Sequence, residues 1–266
     1  MPDKQLQEML DFATELIESA GEIALKYFRS PITIENKKGT DDFDPVTVAD
    51  KEIESYIRGR ITDSYPQHSI VGEEQQEHKG NDDCKWVIDP IDGTRAFISG
   101  TPMWGILLGL MEGEDCKLGL MHQPYLHETF IGSSAGAFLK KGTSSQPISS
   151  RDTRELSEAI LYCTHPSFFT AAAELDAFNQ FAKHCNLMCF GGDCYSYCLL
   201  ANGFIDLVID GSLKPWDIIP LIPIIEATGG IVTDWRGETA TVGGNIIAAA
   251  NPELHEKTIE FFGSNL

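Results

Sequence analysis

The 266-residue sequence is short of basic residues and of long apolar runs. Its 20 Lys and Arg residues stand against 40 Asp and Glu residues, for a formal net charge of −20. This balance argues against a nucleic-acid partner, because phosphate backbones require a basic protein face. The N-terminus lacks the basic start and apolar run of a signal peptide, and no apolar stretch reaches membrane-spanning length. We therefore expect a cytoplasmic protein with no membrane partner.

Several motifs that carry chemistry are also absent. The seven cysteines are odd in number, which fits a reduced compartment better than a disulfide framework. Cys185, Cys189, Cys194 and Cys198 are spaced by four and five residues, unlike the C-x-x-C pairs of zinc sites. There is no H-E-x-x-H pattern and no P-loop, which disfavours zinc proteases and nucleotide kinases.

The segment Trp86–Thr94 reads W-V-I-D-P-I-D-G-T and joins a short apolar run to two carboxylates. The apolar run predicts a strand that ends in an acidic turn. Asp89 and Asp92 are ligands of the type that hard cations such as Mg²⁺ prefer. Gly93 allows close backbone approach, and a helix starting near Thr94 would direct free N–H groups at an anion. Taken alone, D-P-x-D after a strand is more often an ordinary turn.

Two further acidic positions accompany this segment. Glu73 and Glu74 follow the short apolar run Ser69–Val71, and Asp217 follows Trp216 at the start of a helical stretch. Three acidic strand ends or helix starts, far apart in sequence, are what an assembled metal site needs. The plain alternatives are that Glu74 is an exposed neighbour, which we favour, and that Asp217 only complements a helix dipole.

Together these motifs resemble the Mg²⁺-dependent inositol monophosphatase superfamily. The matching segments, in order and correctly spaced, are G-E-E at 72–74, D-P-I-D-G-T at 89–94, W-D at 216–217 and E-A-T-G-G at 226–230. The flanks at 93–100, 192–195 and 213–226 are most similar to histidinol-phosphate phosphatases of the inositol-monophosphatase type. The resemblance implies an α/β fold with an α+β N-terminal half, built as a layered α-β-α-β-α sandwich, and a Mg²⁺-dependent phosphomonoesterase.

The resemblance also implies a metal site. It implies two Mg²⁺ ions, bridged by Asp89, and allows a third, weaker ion near Glu73. The implied metal ligands are Glu73, Asp89, the Ile91 carbonyl, Asp92 and Asp217. Two such cations would neutralise phosphate oxygens that the acidic chain would otherwise repel.

Catalytic and phosphate-binding roles follow from the same resemblance. Glu73 would act with Thr94, supported by Asp50, around the attacking water and its proton. The backbone N–H groups of Gly93 and Thr94 would hold the phosphate. For Asp50 a structural alternative is equally strong, because Thr47 followed by Asp50 is also a helix-capping pattern.

Substrate selection is expected from the second half of the chain. The resemblance places Asp193 and Asp210, together with Asp92, against the alcohol part of the substrate, where carboxylates suit the ammonium and imidazolium groups of histidinol phosphate. Arg95 either helps to bind phosphate or is a surface helix residue. Rival activities are inositol 1-monophosphatase, fructose bisphosphatase and nucleotide 3′-phosphatase. A rival of another class is a catalytically silent acidic metal-binding or regulatory module.

Periodicity predicts the remaining organisation. A long amphipathic helix is expected over 3–29, a mobile loop after a short strand over Ser30–Asp44 and an antiparallel meander over Met103–Lys140. The Ser- and Thr-rich stretch 142–154 marks a boundary between an N-terminal subdomain, 1–148, and a C-terminal one, 149–266. Strands are expected at 160–163, 205–209, 231–233 and 246–250, and helices at 167–184, 195–201, 217–227 and 253–262. The resemblance implies a homodimer.

Overall fold

The computed structural model describes residues 2–31, 34–36 and 45–265, and within them the chain forms eight α-helices and fourteen β-strands. The helices are α1 Asp3–Tyr27, α2 Val48–Ser64, α3 Thr94–Ser99, α4 Ala172–Phe181, α5 Asp193–Ala201, α6 Pro215–Ile218, α7 Ile222–Glu226 and α8 Pro252–Asn265. The strands are β1 Ile34–Asn36, β2 Pro45–Thr47, β3 Ser69–Gly72, β4 Cys84–Asp92, β5 Gly105–Glu112, β6 Asp115–Gln123, β7 Glu128–Ser133, β8 Gly136–Lys141, β9 Ser144–Pro147, β10 Ile160–Cys163, β11 Leu187–Phe190, β12 Leu207–Leu213, β13 Ile231–Asp234 and β14 Gly244–Ala249.

Two large sheets organise these elements, and β1 and β2 form a separate antiparallel pair. Among the described residues the larger sheet has seven strands in the order β3-β4-β5-β6-β7-β8-β9, and the smaller has five in the order β11-β10-β12-β14-β13. Strands β4 to β9 form an antiparallel meander, while β3 runs parallel to β4. The meander predicted over Met103–Lys140 is confirmed, and it continues beyond that range at both ends.

In the described residues, three large hydrophobic cores and a small cluster of Val87, Met111 and Ile219 lie between five layers. The first core joins α1 and α2 to one face of the larger sheet. The second joins the other face of that sheet to α5, α6 and α7, and these helices to the smaller sheet. The third joins the far face of the smaller sheet to α4 and α8. The layered α-β-α-β-α sandwich expected from the sequence is therefore confirmed.

The two N-terminal helices follow the predicted periodicity. In α1 the apolar positions recur at helical spacing, so residues such as Leu16 and Ile17 are fully buried against the larger sheet. The helix ends two residues earlier than predicted, at Tyr27. In α2 the Thr47 hydroxyl accepts the Ala49 N–H at 3.1 Å, while the Asp50 side chain accepts the Thr47 N–H at 2.8 Å. The predicted capping pattern is thus present.

The second half departs from the predicted boundaries at its helices. The helix predicted over 167–184 is wrong in extent, because 167–171 lie outside α4 and Ala182–His184 form a 3₁₀ turn. Phe169 leaves the helical path and packs against Phe178, with ring centroids 5.0 Å apart. The helix predicted over 217–227 is three short segments, α6, a 3₁₀ turn and α7. Pro220 and Pro223 lack the N–H that a continuous helix needs.

Strand β11 was not predicted. It is a four-residue edge strand paired in parallel with β10, and its exposed side chains show no alternation that would reveal a strand. The larger sheet uses residues before 148 and the smaller sheet residues after 159, but the division into subdomains 1–148 and 149–266 stays a prediction.

Of the loop predicted over Ser30–Asp44, residues 32, 33 and 37–44 lie outside the described residues, and β1 falls within its range. No helix in the described part of the chain is long and apolar enough to cross a bilayer.

Candidate active site

A β-bulge in β4 presents the two carboxylates of the central motif. Asp89 pairs with Leu107 and Asp92 with Gly105, so three steps along β4 correspond to two along β5. The predicted strand therefore continues through the motif rather than ending before it. Within the bulge, the Ile91 N–H donates to Asp89 Oδ1 at 3.0 Å.

A tight turn then begins α3. Gly93 has φ of +83°, and a Cβ there would lie 2.9 Å from the Met103 carbonyl, so glycine is required on both grounds. The Thr94 hydroxyl donates to the Ile91 carbonyl at 3.1 Å, which ties the first residue of α3 to the bulge. The helix start predicted at Thr94 is confirmed.

Three carboxylates meet at the bulge. Asp89, Asp92 and Asp217 each offer an oxygen, and these oxygens lie within 4.8 Å of one another. Each carboxylate is also oriented by a backbone N–H. Besides the bond from Ile91 to Asp89, Cys194 donates to Asp92 Oδ2 at 2.5 Å and Lys214 donates to Asp217 Oδ2 at 2.7 Å. The structure thus brings together three of the five predicted ligands, two from β4 and one from the distant α6.

The buried carboxylates of this cluster repel one another, and a bound cation would stabilise them. Burial raises the pKa of Asp89 well above its usual value, and the charges of Glu73, Asp92 and Asp217 add to this effect. Burial and then the charge of Asp193 raise the pKa of Asp92 to about 7. Asp217 also has a strongly raised pKa, first from burial and then from the charge of Asp92. Like charges held this closely in a dry site are stabilised by a bound cation, and oxygen ligands fit Mg²⁺.

Glu73 lies beside this cluster. It follows β3, which is parallel to β4, and it lines the same cavity as the three aspartates. Its charge reaches each of them, because it contributes to the raised pKa of Asp89, Asp92 and Asp217. The Ile91 carbonyl belongs to another residue of the cavity wall. All five predicted metal ligands therefore border one cavity.

Asp50 approaches the cluster from α2. It is 1% exposed, and its Oδ2 accepts hydrogen bonds from the Thr47 N–H and, at 2.5 Å, the Thr47 hydroxyl. Within residues 2–31, 34–36 and 45–265, its Oδ1 has no hydrogen-bond partner. The hydrogen bond found for the Thr94 hydroxyl runs to Ile91 rather than to Asp50. Burial raises the pKa of Asp50 to about 6, which the hydrogen bonds from Thr47 oppose.

The cavity that holds these groups has a volume of about 620 Å³. Its far wall comes from the smaller sheet, where the carboxyl ends of the parallel strands β10, β11 and β12 lead into the cavity lining. Ligands of open α/β sheets bind at such ends. The lining residues from this wall include Thr164, Phe168, Asp193, Tyr197, Asp210 and Ser212.

Asp193 and Asp210, both predicted to contact the substrate, differ in this wall. Asp193 begins α5 with φ of +42°, an uncommon conformation for a residue with a side chain. Its pKa is raised to about 7 by burial and then by the charge of Asp210, against the opposing effect of Arg95. Asp210 is occupied internally. Its oxygens accept hydrogen bonds from the Thr164 N–H at 2.6 Å, the Thr164 hydroxyl at 3.1 Å and the Tyr197 hydroxyl at 3.0 Å.

Arg95 lies in the cavity wall and not only on the protein surface. Its guanidinium carbon lies 5.4 Å from the centre of the Phe168 ring. Phe168, Thr164 and Tyr197 were not identified from the sequence. Their positions in the sequence could have identified them, because they follow β10 or lie on α5. The strand predicted at 160–163 already implied that Thr164 lies at the carboxyl end of that strand.

A second group of metal-ligand types lies elsewhere, at His68, Asp82 and Cys84. The Trp86 indole N–H donates to His68 Nδ1 at 3.0 Å, so the neutral imidazole carries its proton on Nε2. That nitrogen faces Asp82 Oδ2 at 3.5 Å. Both ring nitrogens of His68 therefore already have a partner in the protein, and the arrangement fits a structural role for this group.

Comparison with known proteins decides the family. The sequence model of the inositol monophosphatase family matches residues 5–265. The chain belongs to the inositol monophosphatase family. Members of this family are Mg²⁺-dependent phosphatases, so the acidic cluster has the chemistry that the family requires.

Individual relatives agree with this assignment. The chain is 36% identical to the bifunctional phosphatase IMPL2, chloroplastic, of Arabidopsis thaliana, over 98% of this chain and 76% of that protein. It is 32% identical to the histidinol-phosphatase of Chlorobaculum parvum, over 96% of each. The structure of an inositol monophosphatase from Zymomonas mobilis superposes with a TM-score of 0.85 at 33% identity, covering 97% of this chain and 98% of that one.

Proposed function

We propose that this member of the inositol monophosphatase family hydrolyses histidinol phosphate to histidinol and phosphate. The observation that supports this substrate is the carboxylate of Asp193 on the cavity wall that faces the Asp89, Asp92 and Asp217 cluster. A phosphate at the cluster would leave the alcohol part of the substrate toward Asp193. A carboxylate there complements an ammonium or imidazolium group. The similarity to the histidinol-phosphatase of Chlorobaculum parvum supports the same choice.

Phe168 adds a second element of recognition. Its half-buried ring lines the cavity and lies against Arg95, so it offers an aromatic face near the phosphate end. An imidazole ring can stack on such a face, and an imidazolium gains further from the ring quadrupole. Asp210 contributes through its charge, because its oxygens already accept three internal hydrogen bonds.

For the metals we propose the division that the family resemblance implies. Glu73, Asp89 and the Ile91 carbonyl would hold one Mg²⁺, and Asp89, Asp92 and Asp217 a second, with a third, weaker ion near Glu73. Bound there, Mg²⁺ would neutralise phosphate oxygens, make water more acidic and stabilise the leaving oxygen.

The residues of the chain would then perform the remaining steps. The N–H groups of Gly93 and Thr94, at the start of α3, would bind phosphate oxygens. Thr94 would take part in accepting the proton of the attacking water, with Asp50 as its support. The oxygen Asp50 Oδ1, which has no hydrogen-bond partner in the described residues, is the atom free to do so. Glu73 would orient the same water.

The deciding experiment measures phosphate release from histidinol phosphate and from inositol 1-phosphate, each with Mg²⁺ and with EDTA. We expect a higher kcat/KM for histidinol phosphate and loss of activity in EDTA. The variant Asp193→Ala should raise KM for histidinol phosphate more than for inositol 1-phosphate, because only the former carries cations. Equal effects on both substrates would refute the contact to Asp193.

Inositol 1-phosphate is the second candidate substrate. The structural similarity to the inositol monophosphatase of Zymomonas mobilis favours it, and carboxylates can also accept hydrogen bonds from inositol hydroxyls. A preference for this ester would leave the metal ligands in their roles and overturn only the assignment of Asp193 and Asp210.

We also propose a homodimer and a cytoplasmic location. The surface that supports a dimer is the edge strand β11, whose side chains Leu187, Met188 and Phe190 are 49%, 37% and 50% exposed. An open edge with apolar side chains is suited to pairing with another chain. Sedimentation velocity would test the dimer, and a species of 29.3 kDa would refute it.

A further inference from the structure

A buried carboxylate lies directly beneath the loop that carries Glu73. Glu54, in the second turn of α2, is 0% exposed. Its Oε2 accepts the Glu74 N–H at 2.7 Å, and its Oε1 accepts the Gln75 N–H at 3.1 Å. One side chain therefore binds the two backbone N–H groups that come immediately after Glu73.

Arg58 completes this arrangement one helical turn further on. Its Nε donates to Glu54 Oε1 at 2.7 Å, and a second guanidinium nitrogen donates to the Gln75 carbonyl at 3.2 Å. The guanidinium thus neutralises the buried carboxylate and binds the same loop directly. Burial of an ion pair is costly unless hydrogen bonds satisfy both groups, and here both partners are so satisfied.

The backbone on the other side of Glu73 also passes close to Glu54. A Cβ at Gly72 would lie 2.5 Å from Glu54 Oε1, so the backbone passes in direct contact with the carboxylate. Residues 72, 74 and 75 therefore all meet Glu54, and residue 73 is the one between them. The backbone of Glu73 has little freedom as long as this carboxylate is in place.

We propose that Glu54, with Arg58, is a positioning residue for the metal site: it fixes the 72–75 loop so that the Glu73 carboxylate is held toward the cluster of Asp89, Asp92 and Asp217. The inference rests on the proposed role of Glu73 as a metal ligand. Glu54 does not line the cavity, so it acts through Glu73 and not on the substrate.

Two residues on one face of helix α2 have proposed roles near the metal site. Asp50 and Glu54 are four residues apart and so lie one turn apart on the same side of the helix. The first is the proposed support of Thr94, while the second binds the loop that carries Glu73. Hydrogen bonds that orient metal-ligating carboxylates commonly affect metal affinity by about 10- to 100-fold when removed.

The test is Mg²⁺ binding by calorimetry to the metal-free full-length protein, carrying Glu54→Gln. The amide keeps the size of the side chain but turns one acceptor into a donor that faces the loop N–H groups. We expect Mg²⁺ affinity to fall about 10-fold or more, and the Mg²⁺ concentration for half-maximal activity to rise equally. At saturating Mg²⁺ the KM for the phosphate ester should stay unchanged. The matched control is Asp63→Asn, which removes one exposed charge from the same helix.

A second variant covers the case in which Glu54→Gln does not fold. Arg58→Lys keeps the positive charge beside Glu54 but removes the planar guanidinium, whose second nitrogen donates to the Gln75 carbonyl. We therefore expect Mg²⁺ affinity to fall about 3-fold. Unchanged Mg²⁺ affinity in folded Glu54→Gln, or in Arg58→Lys if that alone folds, would overturn the proposal. A lower melting temperature with unchanged affinity would show a structural role only, which also overturns it.

Glu73→Gln separates this proposal from the proposed function. If Glu73→Gln weakens Mg²⁺ binding and Glu54→Gln does not, the metal site stands and the positioning role is refuted. If Glu73→Gln leaves Mg²⁺ binding unchanged, Glu73 is not a ligand and both fail. If both variants weaken binding, and Asp63→Asn does not, the positioning role is supported.

Discussion

Removing the charge of Asp92 should stabilise the metal-free protein at alkaline pH. Burial and the charge of Asp193 raise the pKa of Asp92 from 3.8 to about 7. Because the folded state holds this proton more tightly than the unfolded state, stability falls as the pH rises from the lower value to the higher. When no cation is bound, the ionised Asp92 carboxylate therefore lowers the free energy of unfolding by its full amount above about pH 7. Asp92→Asn removes this penalty and keeps a carbonyl oxygen for the Cys194 N–H.

The size of the effect follows from the two pKa values. A rise from 3.8 to about 7 corresponds to about 4 kcal/mol of unfolding free energy at high pH. About 3 kcal/mol of this loss falls between about pH 5 and about pH 8. The wild-type protein should lose this amount relative to Asp92→Asn across that range. Total stabilities of domains are about 5 to 15 kcal/mol, so the difference is easily measured.

Urea unfolding in EDTA, followed by circular dichroism at several pH values, provides the assay. Other groups titrate in the same range, and His122 does so in the opposite sense, because burial lowers its pKa to about 4. The contribution of His122 is the same in the two proteins and cancels in the difference. The contributions of Asp89 and Asp217 do not cancel, because the charge of Asp92 raises the pKa of both, and their loss in Asp92→Asn acts in the same direction. Mg²⁺ added at about 100 times its Kd should restore about 2.7 kcal/mol to the wild type at about pH 8, and less to Asp92→Asn.

The same pH dependence of the unfolding free energy in wild type and Asp92→Asn would refute this prediction. If wild type and Asp92→Asn have the same pH dependence in EDTA, then Asp92 ionises in the fold as it does in water, and the cluster does not require a cation. If the wild type becomes more stable from about pH 5 to about pH 8 while the variant does not, the sign of the effect is wrong.

Two further substitutions examine neighbouring residues. Asp89→Asn should lower kcat by about 1,000-fold or more, since the proposed bridging ligand supplies several kcal/mol of charge stabilisation. The far-ultraviolet circular dichroism spectrum should stay unchanged. Near-wild-type kcat in a folded variant would exclude the bridging role. Thr47→Ala should cost about 1 kcal/mol in urea unfolding through loss of the helix cap. It should also shift the acidic limb of the pH–rate profile to higher pH, because the Thr47 hydroxyl opposes the rise in the pKa of Asp50; Thr47→Ser should restore both properties.

The sequence predicted the cluster because its motifs are local. A strand, a bend stiffened by proline and a glycine are encoded within Trp86–Thr94, and the structure shows a bulged strand and a helix start there. The capping residues Thr47 and Asp50 are also local, three positions apart. Such patterns depend on few tertiary contacts, so residue spacing alone is informative. That Asp217 would join Asp89 and Asp92 was suggested by three acidic strand ends or helix starts far apart in the sequence, and its role as a ligand was implied by the family resemblance.

The far wall of the cavity could not be predicted in this way. Asp210 has its oxygens occupied by Thr164 and Tyr197, which lie 46 and 13 residues away in the sequence. Phe168 reaches the cavity from a 3₁₀ turn, Pro166–Phe168, that is separate from α4, and the neighbouring Phe169 packs against Phe178. These are tertiary contacts, which override helix propensity and leave no periodic trace in the sequence.

Helix α2 holds a signal that the sequence did carry. Asp50, Glu54 and Arg58 recur every four residues and are 1%, 0% and 9% exposed. A charged stripe at this spacing is usually solvent-facing and supported by ion pairs within the helix. Here it runs beside the buried stripe of Ile53, Ile57 and Ile61, so the helix is buried over a wider arc than its apolar residues indicate. Buried charges need partners that satisfy them, and for Glu54 and Arg58 those partners lie in the 72–75 loop. A helix whose cap residue and charged stripe share one face is therefore evidence for a nearby polar site, even before the loop that completes it is known.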